Sequence, residues 1–507
     1  MLTQPTIDIN SQEILAVREY IKQTWKTLTR TPEYIIQAAK DPKIEKLPGE
    51  PWIVYVSGQE NLDEIKYKIK EIVTPEKFSH IEIRTLPPEI DQIREHGLLY
   101  LPLDYVVPGG RFNEMYGWDS YFIVLGLLRD HEYTLAQNMA DLLGYQVKHY
   151  GTILNGNRSY MLNRSHPPLF SRTVLRVFES NSDLDWLRSL LPTIEAYYFY
   201  WTVPPHLNPT TGLSHYNALG TGPAPEVVDS EKDEQGLTHY DRVLRYYQGV
   251  AEVEDYDLDL YYNREEDTLT DLFYQGDRSM RESGFDISNR FGPFSVDIIH
   301  YAPVCLNVLL YQMEKDIALI HQILGHEDIA EYWLSNSQHR QKLIDEFLWD
   351  EEKGMYFDYN FRTGRRRCYE FATTFMPLWA NVASDEQAKR LRENLCRLEA
   401  NGGLLTSNYV SGNQWDAPFG WAPLQLFAIE GLRNYGYHED AQRLANKFLN
   451  LVRQEFEKTG VILEKYDVSR CSSDVSEAIY YGYNTNEIGF GWTNGVFLEL
   501  LALFDYL

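Results

Sequence analysis

Apolar residues recur every three to four positions over long stretches of this chain, with polar residues between them. That period predicts amphipathic helices over about 133–149, 183–201, 302–324, 327–347, 384–399, 421–434 and 438–457. Near the N-terminus, Ser11 is placed to cap a helix running to about Thr29. The runs "PWIVYVSG" and "HIEIRTLP" read as strands, with the charged "NLDEIKYKIKEIV" between them. The pattern predicts a small mixed α/β extension over 1–104 and a mainly helical part over 105–507. Paired helices joined by long loops rich in Gly, Pro, Asn and aromatics predict a helical toroid with its function on the loops.

Composition narrows the partners. The formal charge of −27 makes nucleic acid and anionic membrane poor partners, because like charges repel. A small neutral substrate fits better. No phosphate-binding Gly-rich loop, no dinucleotide fingerprint and no metal-type Cys or His spacing is present, so neither cofactor nor metal is expected. Cys305, Cys368, Cys396 and Cys471 are well separated, which suits a reducing compartment. No signal-peptide pattern and no apolar run long enough to span a membrane appear, so a cytoplasmic protein is expected. The acidic "VVDSEKDEQG" (227–236) is expected to be an exposed loop.

The chemistry lies in irregular stretches. "RESGFDISNR" (281–290) gathers Glu282, Asp286 and two arginines with neither a helical stripe nor strand alternation. It is either a solvated turn or a reaction centre. "PGGRFNEMYGWDSYF" (108–122), "NGNRSYMLNRSHPP" (155–168), "SGNQWDAPFGWAP" (411–423) and "LEKYDVSR" (463–470) repeat one set of carboxylate, guanidinium, amide and indole groups. Each loop alone reads as a turn with solvated charge. Together they suit a polyhydroxylated ligand, with indoles on the sugar face and paired polar groups on the hydroxyls. Glycoside hydrolysis needs two carboxyl groups, one as acid and one as base or nucleophile, and "SGFDIS" and "LEKYD" supply candidates.

These stretches resemble a known family. "PGGRFNEMYGWDSY" and "QWDAPFGWAP" look like the two signature motifs of the trehalases, glycoside hydrolase family 37, and "NGNRSYMLNRSHPP", "ESGFDIS", "EKYD" and "GFGWTNGV" resemble further motifs in the family's order. The motifs cover roughly 105–507 and leave the first hundred residues out. The resemblance implies an (α/α)6 toroid, a six-hairpin barrel, with an inverting mechanism and no cofactor. It implies Asp286 as general acid, in a pocket that buries it and raises its pKa, and Glu464 as general base. It implies that Phe112, Trp118, Asp119, Asn155, Arg164, Gln414 and Trp415 hold the glucose whose bond is cut, with Arg111 near that bond and Tyr116 in the same loop.

The departures concern the second sugar. Ala224 stands where trehalases carry Arg, though Glu226 is kept; His166 replaces a Gln, Phe285 a Trp, and Tyr483 a Glu. The glucose-holding half is therefore expected to be intact and the leaving-group half rebuilt. Unreplaced charged partners of a buried sugar cost about 1.5–3 kcal/mol each. The expected substrate is thus an α-glucoside with a smaller leaving group, glucosylglycerol, with Tyr483 narrowing the site and Arg281 or His166 able to bring a charge from a new direction. Trehalose is the alternative. A non-catalytic sugar-binding toroid would not need both carboxylates, and a phosphorylase would not tolerate Glu464 against phosphate. His166 and Asp416 also read as structural, Glu487 as structural or pocket-facing, and Asp467 and Glu282 as supporting. The segments 220–240 and 470–488 are the candidate lids.

Overall fold

The structure is a computed structural model, and it describes residues 11–44, 46–228, 235–475, 479–483 and 485–504. Much of the acidic loop (229–234) and parts of the second candidate lid (476–478 and 484) lie outside the described residues. Among the described residues, six helices form a closed ring: Asp119–Arg129, Phe170–Asn181, Val304–Ile323, Met376–Trp379, Ala422–Asn434 and Gly491–Leu503, the last packing on the first. Around them lie Tyr133–Tyr150, Leu184–Thr202, Glu327–Leu348 and His438–Thr459, each antiparallel hairpin partner or neighbour of an inner helix. This is the (α/α)6 toroid.

The outer helices match the periodic pattern because each has a wet face and a dry one. The inner helices Asp119–Arg129 and Gly491–Leu503 are buried on nearly every side, which erases the stripe. Their packing is close because glycines meet. A Cβ on Gly495 would lie 1.9 Å from the Phe122 carbonyl oxygen, and one on Gly126 would lie 2.7 Å from the Gly495 Cα. Gly495→Ala is expected to destabilise the protein by about 1–3 kcal/mol through overpacking, visible as a lowered thermal midpoint; an unchanged midpoint would contradict this packing.

Two expectations are corrected. The helix expected over 384–399 is Asp385–Asn394, started by a Ser384–Gln387 capping box and followed by the short turn Leu395–Arg397. The stretch 281–290 is not irregular throughout, because Arg281 and Glu282 end the helix Asp271–Glu282, which Thr270 caps.

The N-terminal region divides in two. Ser11 accepts from the Ile14 N–H and starts the helix Gln12–Leu28. Its Ile14, Val17, Ile21 and Trp25 join the core of the barrel, where it packs on His438–Thr459 and Gly491–Leu503. The Trp25 indole donates to Asp130 at 2.7 Å. The strand Trp52–Val56 pairs in parallel with Ile81–Thr85 and Leu98–Leu99, the helix Leu62–Ile72 crossing between. Val54, Val56, Ile65, Ile69 and Ile83 form a separate small core there.

Candidate active site

The motif loops enter the inner helices at their N-terminal ends. Residues 108–118 lead into Asp119–Arg129, 155–168 into Phe170–Asn181, 283–302 toward Val304–Ile323, 411–421 into Ala422–Asn434, and 464–490 into Gly491–Leu503. Helix N-termini carry partial positive charge, which suits a carboxylate-rich pocket. A cavity of about 80 Å³ lies among them, lined by Arg111, Phe112, Tyr116, Trp118, Asp119, Asn155, Arg164, His166, Glu226, Asp286, Trp415, Glu464 and Tyr483. Thus every site residue read from the sequence meets here except Gln414. That cavity is well below the roughly 300–1,000 Å³ of small-molecule sites.

The two carboxylates differ in setting. Asp286 is not buried as expected. Its side chain is 33% exposed because it faces the cavity, and its Oδ2 lies 3.7 Å from the Arg281 guanidinium. Glu464 is buried, beside Lys465 on the short strand Lys465–Asp467. Burial pushes the Glu464 carboxyl up; the Lys465 ammonium, 3.5 Å from Oε2, and the Tyr483 hydroxyl, which donates to Oε1, pull it back. Among the described residues Glu464 Oε2 has no hydrogen-bond partner. Burial pulls the Lys465 ammonium down in turn. Burial pushes the Asp119 carboxyl well above its usual range, and the like charges of Glu464 and Asp286 add to that.

Gln414 sits behind the wall. Its amide nitrogen donates to the Asp286 carbonyl, and its Oε1 accepts from Lys465 Nζ at 2.9 Å. It therefore ties the Asp286 loop to the Glu464 strand. Asp416 pins the same loops. It accepts from the Asn289 N–H at 2.9 Å, from Ser411 at 2.6 Å, from Ser407 at 2.7 Å and from Tyr369 at 2.9 Å, and burial pushes its carboxyl up to about 6.

The remaining residues build walls. Trp415 stacks on Trp421 with centroids 4.0 Å apart, and Trp118 and Trp492 complete an indole cluster. Phe112 packs edge-on against Tyr116, Tyr483 and Phe490. Asn155 donates to the Arg281 carbonyl at 3.1 Å and accepts from Arg164 at 3.4 Å; Arg164 also pairs with Glu226. His166 accepts from the Trp118 N–H through Nδ1, and burial with Arg164 nearby holds its imidazole well below the ordinary value, hence neutral. The Arg111 N–H donates to Glu487 at 2.9 Å, which makes Glu487 a clamp on that loop, and the Arg111 guanidinium lies 5.0 Å over the Tyr483 ring.

Arg281 brings a guanidinium to the cavity lining, which Ala224 does not reach. Ala224 is buried, and its N–H donates to Tyr240, which donates to Asp277, the partner of Arg281 at 3.2 Å. Lys43, Trp421, Phe490 and Trp492 also line the cavity without having been singled out. Trp492 lies inside "GFGWTNGV", so its signal was present; Lys43 has none. Lys43 comes from the N-terminal region, where it pairs with Glu114 at 2.9 Å, and Arg158 holds both Glu114 and the carbonyls of 38–40. The first hundred residues thus brace two motif loops.

Tyr483→Phe removes a hydrogen bond that favours ionised Glu464. The acid limb of the pH–rate profile is expected to move to higher pH; an unmoved limb would show that the hydroxyl does not act on Glu464.

Comparison with known proteins places this geometry. The sequence profile of the trehalase family matches residues 6–505, and so takes in the first hundred residues that the motifs do not reach. The cytosolic neutral trehalase of Neurospora crassa is 36% identical over 94% of this chain and 72% of its own length, and that of Kluyveromyces lactis 35% over 94% and 69%. The solved neutral trehalase of Saccharomyces cerevisiae superposes with a TM-score of 0.82 at 32% identity, covering 98% of this chain and 94% of that one. A mannosylglycerate hydrolase from Thermus thermophilus, at 21% identity and a TM-score of 0.52 over 78% of this chain and 95% of that one, shares the fold. The protein is a glycoside hydrolase built on an (α/α)6 toroid. The chain belongs to the trehalase family.

Proposed function

We propose that this protein hydrolyses α,α-trehalose to two glucose molecules by a single displacement with inversion, in the cytosol where its relatives are named. Asp286 protonates the glycosidic oxygen and Glu464 activates a water against the anomeric carbon. The observation that carries this reading is the pairing, in one pocket, of Asp286 facing the cavity beside Arg281 with buried Glu464, whose Oε2 has a free acceptor position for that water. Phe112, Trp118, Asp119, Asn155, Arg164 and Trp415 hold the glucose that is cut. Arg111, Tyr116, His166, Glu226 and Arg281 receive the leaving glucose, and Gln414 positions both catalytic loops. Trehalose is favoured over glucosylglycerol because the relatives at 35–36% identity are neutral trehalases, and because Arg281 supplies a guanidinium to the pocket that a second sugar can use. Glucosylglycerol remains a second reading on one observation: Tyr483 fills the wall against Phe112 and Arg111. We also propose that the helix Gln12–Leu28 counts with the barrel's outer ring, which leaves residues from about 30 to 104 as the extension.

Glucose release from trehalose, glucosylglycerol, glucosylglycerate, maltose and sucrose tests the substrate. The highest kcat/KM is expected on trehalose. The highest value on glucosylglycerol would overturn the assignment and return weight to Tyr483.

A further inference from the structure

A second cavity, of about 610 Å³, lies between the early turns of Asp119–Arg129 and Phe170–Asn181, which bring Tyr121, Arg172 and Arg176, and the late turns of Val304–Ile323, Ala422–Asn434 and Gly491–Leu503. Glu430 and Arg433 lie near the end of Ala422–Asn434, and Leu503 is the last residue of Gly491–Leu503. No part of the hydrolytic reading uses it.

Its charges do not balance. Arg172 pairs with Asp316 at 2.9 Å, and Arg176 lies 3.7 Å from Glu430. Glu499 behind them is matched by Arg129, which donates to both its oxygens at 2.7 and 3.0 Å. Lys315 and Arg433 also line the cavity; Asp316 acts on Lys315 from a distance but, among the described residues, no carboxylate forms a salt bridge with either cation. Arg433 donates instead to the Leu503 carbonyl. Glu179 also accepts from Arg176 at 3.2 Å, so among the described residues one cation is left over, in a chain whose overall charge is −27. The C-terminal ends of the inner helices bring partial negative charge, about half a unit each, to the mouth. That offsets Arg433 there but leaves the deeper donors unanswered.

Those donors are the second observation. The Tyr121 hydroxyl and the Nε atoms of Arg172 and Arg176 are buried and have no hydrogen-bond partner among the described residues. Tyr121 is 1% exposed and its side chain lines this cavity. Buried polar groups are ordinarily satisfied. All three can donate, so the missing partner is rich in acceptors, and guanidiniums with a lysine suit phosphate oxygens.

We propose that this cavity binds a small phosphate dianion, free or as an ester on a small molecule. The phosphate lies against Tyr121, Arg172 and Arg176, with Lys315 supplying unmatched charge. The site does not depend on which glucoside is hydrolysed.

Calorimetric titration of the full chain with inorganic phosphate, and separately with glucose 6-phosphate, tests this. One saturable site is expected, weakened about tenfold, or about 1.4 kcal/mol, in Lys315→Gln and unchanged in Asp286→Asn. Tyr121→Phe, which removes one of the proposed donors, is the second variant, in case Lys315→Gln does not fold. Equal affinity for the two ligands assigns the bare anion, and tighter glucose 6-phosphate assigns an ester; either supports the site. Absence of saturable binding, binding that ignores both substitutions at 315 and 121, or binding lost in Asp286→Asn would overturn it, the last by moving the phosphate to the catalytic pocket.

Discussion

Asp286→Asn is expected to lower kcat on trehalose by about 10²–10⁴-fold, the usual contribution of a positioned proton donor. The amide keeps the shape and removes the proton. KM is expected to stay within a few-fold, because the sugar is proposed to be held by Asp119, Asn155, Arg164 and the indole cluster rather than by the acid. A wild-type kcat in this variant, with its fold intact by circular dichroism, would remove Asp286 from the mechanism. A raised KM with unchanged kcat would make it a binding residue.

Glu464→Gln is expected to be the second large loss, of the same order, because the amide cannot take a proton from water. The distinguishing feature is pH. Burial pushes the Glu464 carboxyl up, and the base must be ionised. Activity of the native protein should therefore fall on the acid side as the pH drops through a value above the ordinary Glu range, and this limb should be missing from the residual activity of Glu464→Gln. Lys465→Met removes the cation 3.5 Å from Oε2 and is expected to shift the limb of the active enzyme further upward. A downward shift would mean that burial is relieved more than charge is lost. The Asp286→Asn and Glu464→Gln losses are not expected to add in the double variant, since both groups act on one step.

The sequence made some parts of this molecule legible and hid others for physical reasons. The outer helices, such as Tyr133–Tyr150 and Glu327–Leu348, have one face in water, so period 3.6 is printed in them. Asp119–Arg129 and Gly491–Leu503 have no wet face, and nothing periodic marks them. The catalytic pocket was readable because its loops concentrate Trp, Asp, Asn and Arg with Gly and Pro, a composition that packing alone does not require. The link from Ala224 to the pocket is legible only in three dimensions: its N–H donates to Tyr240, which donates to Asp277, the partner of Arg281 57 positions along the sequence (281 − 224), and no single-sequence pattern records such a chain. Gln414 was assigned to the sugar from its loop; only the coordinates show both ends of its amide occupied, by Asp286 and Lys465. Lys43 lies far outside the motifs and reaches the pocket because Arg158 gathers the carbonyls of 38–40.

The measurement that bears most directly on the central claim is the proton NMR spectrum of the first glucose formed from trehalose, recorded before mutarotation. Single displacement by water from the side of Glu464 inverts one anomeric centre and leaves the other untouched. Equal amounts of β- and α-glucose are therefore expected at early times. α-Glucose alone would mean that a carboxylate attacks the sugar and configuration is retained, which would contradict the roles given to Asp286 and Glu464.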